Sequence, residues 1–264
     1  MIQYLKESTF KANDVFLRAV KVLKSHYFSI AGLCFLLFIT NNLSSFLAMY
    51  LKDSATSGVK VLLLLVFLTI FFSLQLVLIK RALSLVTHHA KLAFVDYIPT
   101  TKQFISFIVG LLTAIIISVI VACLVYVLCF PLVYLDLFSM ERVMFEIHPL
   151  LTGIISVYII LRTMFFPFFI LDKNFSVFKS YRFSLAMTRG NVFRLILVLL
   201  IVSLTFLLQM GTEYLGYSII ARVLSIVNSF VIIPSVSLVL SIVYSDMIRE
   251  YKGEENPEFL KSII

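Results

Sequence analysis

Six stretches of this chain stay apolar for long enough to cross a lipid bilayer, and that restricts its fold more than any other feature. They are Phe28–Tyr50, Val59–Ile79, Phe104–Phe130, Pro149–Ile170, Val192–Met210 and Val223–Tyr244. A run of roughly 18 or more apolar residues covers a hydrocarbon layer ~30 Å thick as a helix. Lipid offers the backbone no hydrogen-bond partners, so a spanning segment must satisfy its own, as a helix or in a closed barrel. The runs are continuous and do not alternate apolar with polar residues, which selects helices. Composition agrees: 61% of the residues are hydrophobic and 14% charged, against about 45–50% and about 25% in soluble domains. The expected fold class is all-α, a polytopic membrane bundle of about six transmembrane helices with cytoplasmic interfacial amphipathic helices.

Orientation follows from lysine and arginine, which concentrate on the cytoplasmic side of membrane proteins. The N-terminal segment carries Lys6, Lys11, Arg18, Lys21 and Lys24, and the second connection Lys80, Arg81, Lys91 and Lys102. The fourth connection carries Lys173, Lys179, Arg182, Arg189 and Arg194, and the tail Arg249, Lys252 and Lys261. Only Lys52, Lys60, Arg142 and Arg222 fall on the other side. An even number of spans with both ends cytoplasmic satisfies this pattern. The division expected is a cytoplasmic amphipathic segment over 1–27, a six-span domain over 28–244 and a cytoplasmic tail over 245–264. Residues 1–26 lack the short apolar core and cleavage site of a secretory signal, so the first span is expected to direct insertion. The net charge of +8 flanks hydrophobic spans, where basic residues meet anionic headgroups. It therefore points to lipid and not to nucleic acid.

Three inner segments, Phe10–Lys24, Arg81–Asp96 and Ser176–Arg189, mix apolar and basic residues at helical spacing and suit helices on the cytoplasmic interface. Each leads into a span through a polar step and an aromatic: Ser25-His26-Tyr27-Phe28, Thr101-Lys102-Gln103-Phe104 and Gly190-Asn191-Val192-Phe193. Two readings fit, a threefold internal repeat or convergent chemistry at points of insertion, and the unequal spacing of the junctions favours the second. In the third segment Phe178, Tyr181 and Leu185 share a face, while Ser176, Ser180, Ser184 and Thr188 form an i, i+4 ridge, with Gly190 and Asn191 closing the helix. The last span repeats the small-residue theme with Ser237, Ser241 and Ser245. Such ridges serve either packing inside the bundle or docking of another subunit, a protein partner or a second copy.

Arg162 is the residue most expected to carry chemistry. It lies about ten residues from the inner end of its span, ~15 Å deep at 1.5 Å per residue. An arginine at that depth costs at least ~2.5–3.5 kcal/mol. No acidic residue lies inside a span to pair with it. The available polar groups are Asn41, Asn42, Gln75, Gln209 and Asn228, with carbonyls released by proline: that of Thr163 by Pro167 and that of Phe230 by Pro234. Arg162, Asn228, Gln75 and Asn41 form the candidate intramembrane polar site. It is either an anion or lipid-phosphate site, or a structural arginine bound to broken-helix carbonyls. Cys34, Cys123 and Cys129 have neither disulfide nor zinc spacing and read as small buried residues. His88 and His89 are adjacent, so a helix points them ~100° apart and they suit no shared metal. No HExxH, GxSxG or glycine-rich phosphate loop occurs, so no catalytic, metal or cofactor residues are expected.

The stretch Arg162–Asn191, RTMFFPFFILDKNFSVFKSYRFSLAMTRGN, resembles an element of bacterial membrane proteins similar to the glycerophosphodiester phosphodiesterase membrane domain. It has a span ending near Asp172, an amphipathic helix, and a step through Ser184, Thr188, Gly190 and Asn191 into the next span. Tyr244, Asp246 and Arg249 after the proline of the last span resemble that family's end. The resemblance implies a six-span fold but no activity, since the catalytic barrel and its His-Arg-Gly step are absent. The expectation is a non-enzymatic inner-membrane protein for envelope or lipid homeostasis, or a subunit of a membrane assembly, in contact with anionic headgroups. The alternative is a transporter or lipid translocator using Arg162.

Overall fold

The computed structural model describes residues 12–51, 56–87 and 94–252. Lys52–Ala55, the stretch with His88, His89 and Lys91, and most of the expected tail lie outside the described residues. Helices run over Ala12–Tyr50 (α1), Ser57–Val86 (α2), Thr101–Tyr134 (α3), Met140–Arg142 (α4), His148–Thr163 (α5), Phe166–Lys173 (α6), Val177–Met187 (α7), Val192–Tyr214 (α8), Ser218–Val227 (α9) and Ile233–Lys252 (α10). A 3₁₀ turn forms at Phe94–Tyr97, and π-helical segments at Val143–Ile147 and Asn228–Ile232. Among the described residues there is no strand. Six helical stretches are long and apolar enough to cross a membrane: Asn13–Tyr50, Ser57–Val86, Thr101–Tyr134, Met140–Lys173, Val192–Tyr214 and Ser218–Arg249. The chain is an all-α, multi-pass membrane bundle.

These stretches outrun the apolar runs of the sequence. The expected outer loop Pro131–His148 is helical through Tyr134 and again from Met140, with Asp136 turning the chain at φ 53°. The loop Gly211–Arg222 narrows to a turn at Gly216, φ 81°. Amphipathic ends still close their backbone hydrogen bonds by staying helical, so the helix continues past the point where the apolar run stops. For the same reason the second interfacial helix does not begin at Arg81. α2 continues unbroken to Val86, with Ala82, Leu83, Ser84 and Leu85 buried.

The helices divide into two compact units, Met1–Thr100 with Phe193–Ile264, and Thr101–Val192. In the first, α1 buries Val15, Ala19, Ile30, Leu33, Cys34 and Leu37, spaced as one helical stripe. These belong to the same core as Leu76 and Leu78 of α2 and Leu238, Ile242 and Tyr244 of α10. α1 is kinked at His26 (φ −129°, ψ 20°), where the Ser25 hydroxyl donates back to the carbonyls of Lys21 and Val22 at 3.2 and 3.0 Å. Beyond the kink Tyr27 Oη donates to the Phe230 carbonyl at 3.3 Å, the acceptor that Pro234 deprives of its helical donor. Arg18 meets both carboxylate oxygens of Asp246, one at 3.0 Å, and pairs with Asp14 at 3.0 Å. The start of the first span and the end of the last therefore lie together.

In the second unit α3, α5, α6 and α7 pack around Phe107, Leu161, Phe165, Phe168, Phe169 and Tyr181. Gly110 lets this happen: a Cβ there would sit 2.5 Å from Cε2 of Phe166. The ring of Phe166 is held between Phe107 and Tyr181, with centroids 5.9 and 4.8 Å away. A smaller cluster of Val125, Cys129 and Val143 closes the other end of the unit.

Candidate functional site

The fourth span is broken in its C-terminal half, and the break organises the site. A proline ring clashes with the carbonyl four residues back. Pro167 therefore pushes the chain out of helical geometry at Met164–Phe165, between α5 and α6. The carbonyl in need of partners is that of Arg162, one residue earlier than expected. Two hydroxyls of α7 reach it, Ser184 Oγ at 2.9 Å and Thr188 Oγ1 at 3.2 Å. Ser184 Oγ also accepts from the Phe165 N–H at 3.2 Å. The break is thus closed by side chains of the neighbouring helix, as a dry interior requires.

This fixes which way α7 faces. Ser180, Ser184 and Thr188 are fully buried and Asn191 nearly so, while Ser176 and Gly190 are exposed. The ridge therefore packs inside the unit. Tyr181 lies at the edge of the buried face and donates to the Gly110 carbonyl at 2.7 Å, and burial pushes its phenol up to about 12. Phe178 and Leu185, expected on one face with Tyr181, turn outward, 79% and 41% exposed. The competition between two stripes of one helix goes to the one that supplies hydroxyls, because an unsatisfied buried carbonyl costs more than an exposed ring. The outward face then reads Phe178, Arg182, Leu185 and Arg189, all exposed. Lys179 lies over the rings of Phe175 and Phe183, at 4.4 and 5.9 Å from their centroids.

The turn into α7 is built as firmly. Asn174 ends α6 in the left-handed region at φ 51°, a conformation that asparagine tolerates better than most residues. Gln103 of α3 donates to its Oδ1 at 2.6 Å and to the Leu171 carbonyl at 3.3 Å.

The other polar candidates are separately placed. Arg162 belongs to the second unit, whereas Asn41, Gln75 and Asn228 belong to the first. The Arg162 side chain is half-buried, and among the described residues only its carbonyl, not its guanidinium, has a hydrogen-bond partner. Asn228 is buried in the π segment and donates to Gln209 Oε1 at 2.6 Å, while its own Oδ1 has no partner among the described residues. Asn41 is exposed, Gln75 is half-buried, and no hydrogen bond links either to Asn228. Cys34 and Cys129 are buried, but Cys123 is exposed. Among the described residues no three metal-ligating side chains are gathered. The sequence reading missed Gly110, the pairing of Arg18 with Asp246, and the Arg81 contacts. Arginine spacing carries topology but does not say which arginines will find carboxylates.

No family model matches the chain, and neither a curated protein nor a solved structure does.

Proposed function

We propose that this chain is a non-enzymatic, multi-pass protein of the bacterial inner membrane that supports envelope or lipid homeostasis, alone or as a subunit of a membrane assembly. Both ends are cytoplasmic in this reading, and the chain is grouped with proteins similar to the glycerophosphodiester phosphodiesterase membrane domain. The observation that carries it is the two-sided build of α7. Its hydroxyl face is fixed inside the unit, while Phe178 and Leu185 stand exposed among Arg182, Arg189 and Lys179. Exposed apolar side chains flanked by cations, beside a span, suit the boundary between acyl chains and anionic headgroups.

Purification of the full chain in mild detergent, followed by native mass spectrometry, tests this. Retained anionic phospholipid or a stoichiometric protein partner is the expected result, with lipid retention falling in a Lys179→Gln, Arg182→Gln double variant. A lone monomer carrying neither would refute it.

One observation favours a second reading, transport or lipid translocation through an intramembrane anion site. The Arg162 guanidinium stands within the fourth span beside a helix break, with no acceptor among the described residues. A cation so placed binds an anion or costs stability. Flux and lipid-scrambling assays on Arg162→Lys and Arg162→Ala in proteoliposomes decide: lost flux in folded variants supports it, unchanged flux removes it.

A further inference from the structure

The first unit holds a second arginine whose surroundings are more completely defined. Arg81, near the end of α2, is half-buried and donates from Nε to Ser29 Oγ at 3.0 Å. Its Nη1 donates to Tyr97 Oη, and its guanidinium carbon lies 4.5 Å from the centre of the Tyr97 ring. Ser29 belongs to α1 just past the kink, and Tyr97 to the 3₁₀ turn, where it is 3% exposed. Among the described residues Arg81 pairs with no carboxylate. Asp96 acts electrostatically on Lys80, whose Nζ donates to the Ile98 carbonyl at 3.3 Å.

Both oxygens that receive the guanidinium protons carry a proton of their own, and neither passes it to a protein acceptor among the described residues. Arg81 retains further N–H groups, because a guanidinium has five. Two hydroxyls from two other segments therefore meet one cation that has no counter-ion among the described residues, and a half-desolvated cation without one is costly. Arginine's planar fork matches the oxygens of a phosphate. The geometry points to Arg81, Ser29 and Tyr97 as a binding site for a phosphate ester at the membrane edge. The phosphodiester of an anionic lipid fits best. Phe28, next to Ser29, is 92% exposed, and Leu17, Val20, Lys21 and Lys24 are exposed along the same helix before the kink. They provide an apolar and basic surface for a lipid already in the bilayer. The site lies in the first unit and does not depend on the reading of α7.

The test uses the full chain in phosphatidylcholine nanodiscs, titrated with phosphatidylglycerol, glycerol phosphate or inorganic phosphate and read by native mass spectrometry and thermal melting. Wild type is expected to take up phosphatidylglycerol saturably. Arg81→Lys keeps the charge but loses the fork, and should weaken uptake about tenfold, as for a hydrogen bond to a charged group. Tyr97→Phe should weaken it several-fold, and Arg222→Gln, at an exposed arginine outside both proposed lipid surfaces, should leave this uptake unchanged. Saturation by the lipid alone assigns the phosphate to a headgroup, and equal saturation by inorganic phosphate assigns it to a soluble ester. If wild type takes up none of the three, or if Arg81→Lys and Tyr97→Phe melt and bind as wild type does, Arg81 is only a brace and the proposal falls.

Discussion

The hydroxyls that close the broken span set the stability of the second unit residue by residue. Ser184→Ala removes the nearer of two hydroxyls from the Arg162 carbonyl and the hydroxyl that accepts from the Phe165 N–H. A buried group left unsatisfied costs about 1–3 kcal/mol, and Thr188 still reaches the carbonyl at 3.2 Å. Ser184→Ala should therefore lower stability by about 1–3 kcal/mol and Thr188→Val by less, as checked by thermal melting in detergent. Gly110→Ala forces a methyl group against a ring that two other rings hold in place. Overpacking of this kind costs typically ~1–3 kcal/mol, and the simultaneous Phe166→Leu change should recover part of it. Tyr181 gives a test in pH. Its phenol is raised to about 12 from 10.0, so the folded chain holds a proton that the unfolded chain releases first. The stability this confers is complete below pH ~10 and lost as pH rises towards about 12. A Tyr181→Phe variant, less stable at neutral pH, should show a flatter melting profile across that window.

At the level of single elements, what could be read from the chain depended on whether one periodicity ruled. α1 carries one stripe, from Val15 through Ile30 to Leu37, and its buried face follows the apolar spacing. α7 carries two, and spacing alone cannot rank an aromatic stripe against a small polar one. The ranking comes from the carbonyl of Arg162, which lies 22 residues before Ser184 in sequence. Helix ends were hidden for a related reason, since apolar runs mark the extent of hydrocarbon and not that of hydrogen bonding. Pairing between distant charges was hidden entirely: neither Arg18 nor Asp246 is marked by its neighbours. That pair joins α1 to α10 with one partner 41% exposed, so water screens it and its worth is about 1 kcal/mol or less. Asp246→Asn should cost that much, and exchanging the charges (Arg18→Asp with Asp246→Arg) should restore most of it. A double-mutant cycle measured by denaturation checks the coupling.

For the molecule as a whole, the apolar runs give six candidate crossings and the basic segments give the expected orientation. The contact between Arg18 and Asp246 brings the start of the first crossing and the end of the last together. Reporter proteins fused ahead of α1 or after α10 should accordingly give the same signal, that of the cytoplasm in the orientation proposed. Opposite signals would mean that one of the six stretches does not cross. The closed break has a further consequence for how the chain is made. The fourth crossing leaves the ribosome before α7, so for a time its Arg162 carbonyl and Phe165 amide have no hydroxyls to meet. Until Ser184 and Thr188 have been synthesised and folded back, that segment cannot be released into dry hydrocarbon without penalty. The translocon is thereby given a reason to hold the fourth crossing until α7 has emerged.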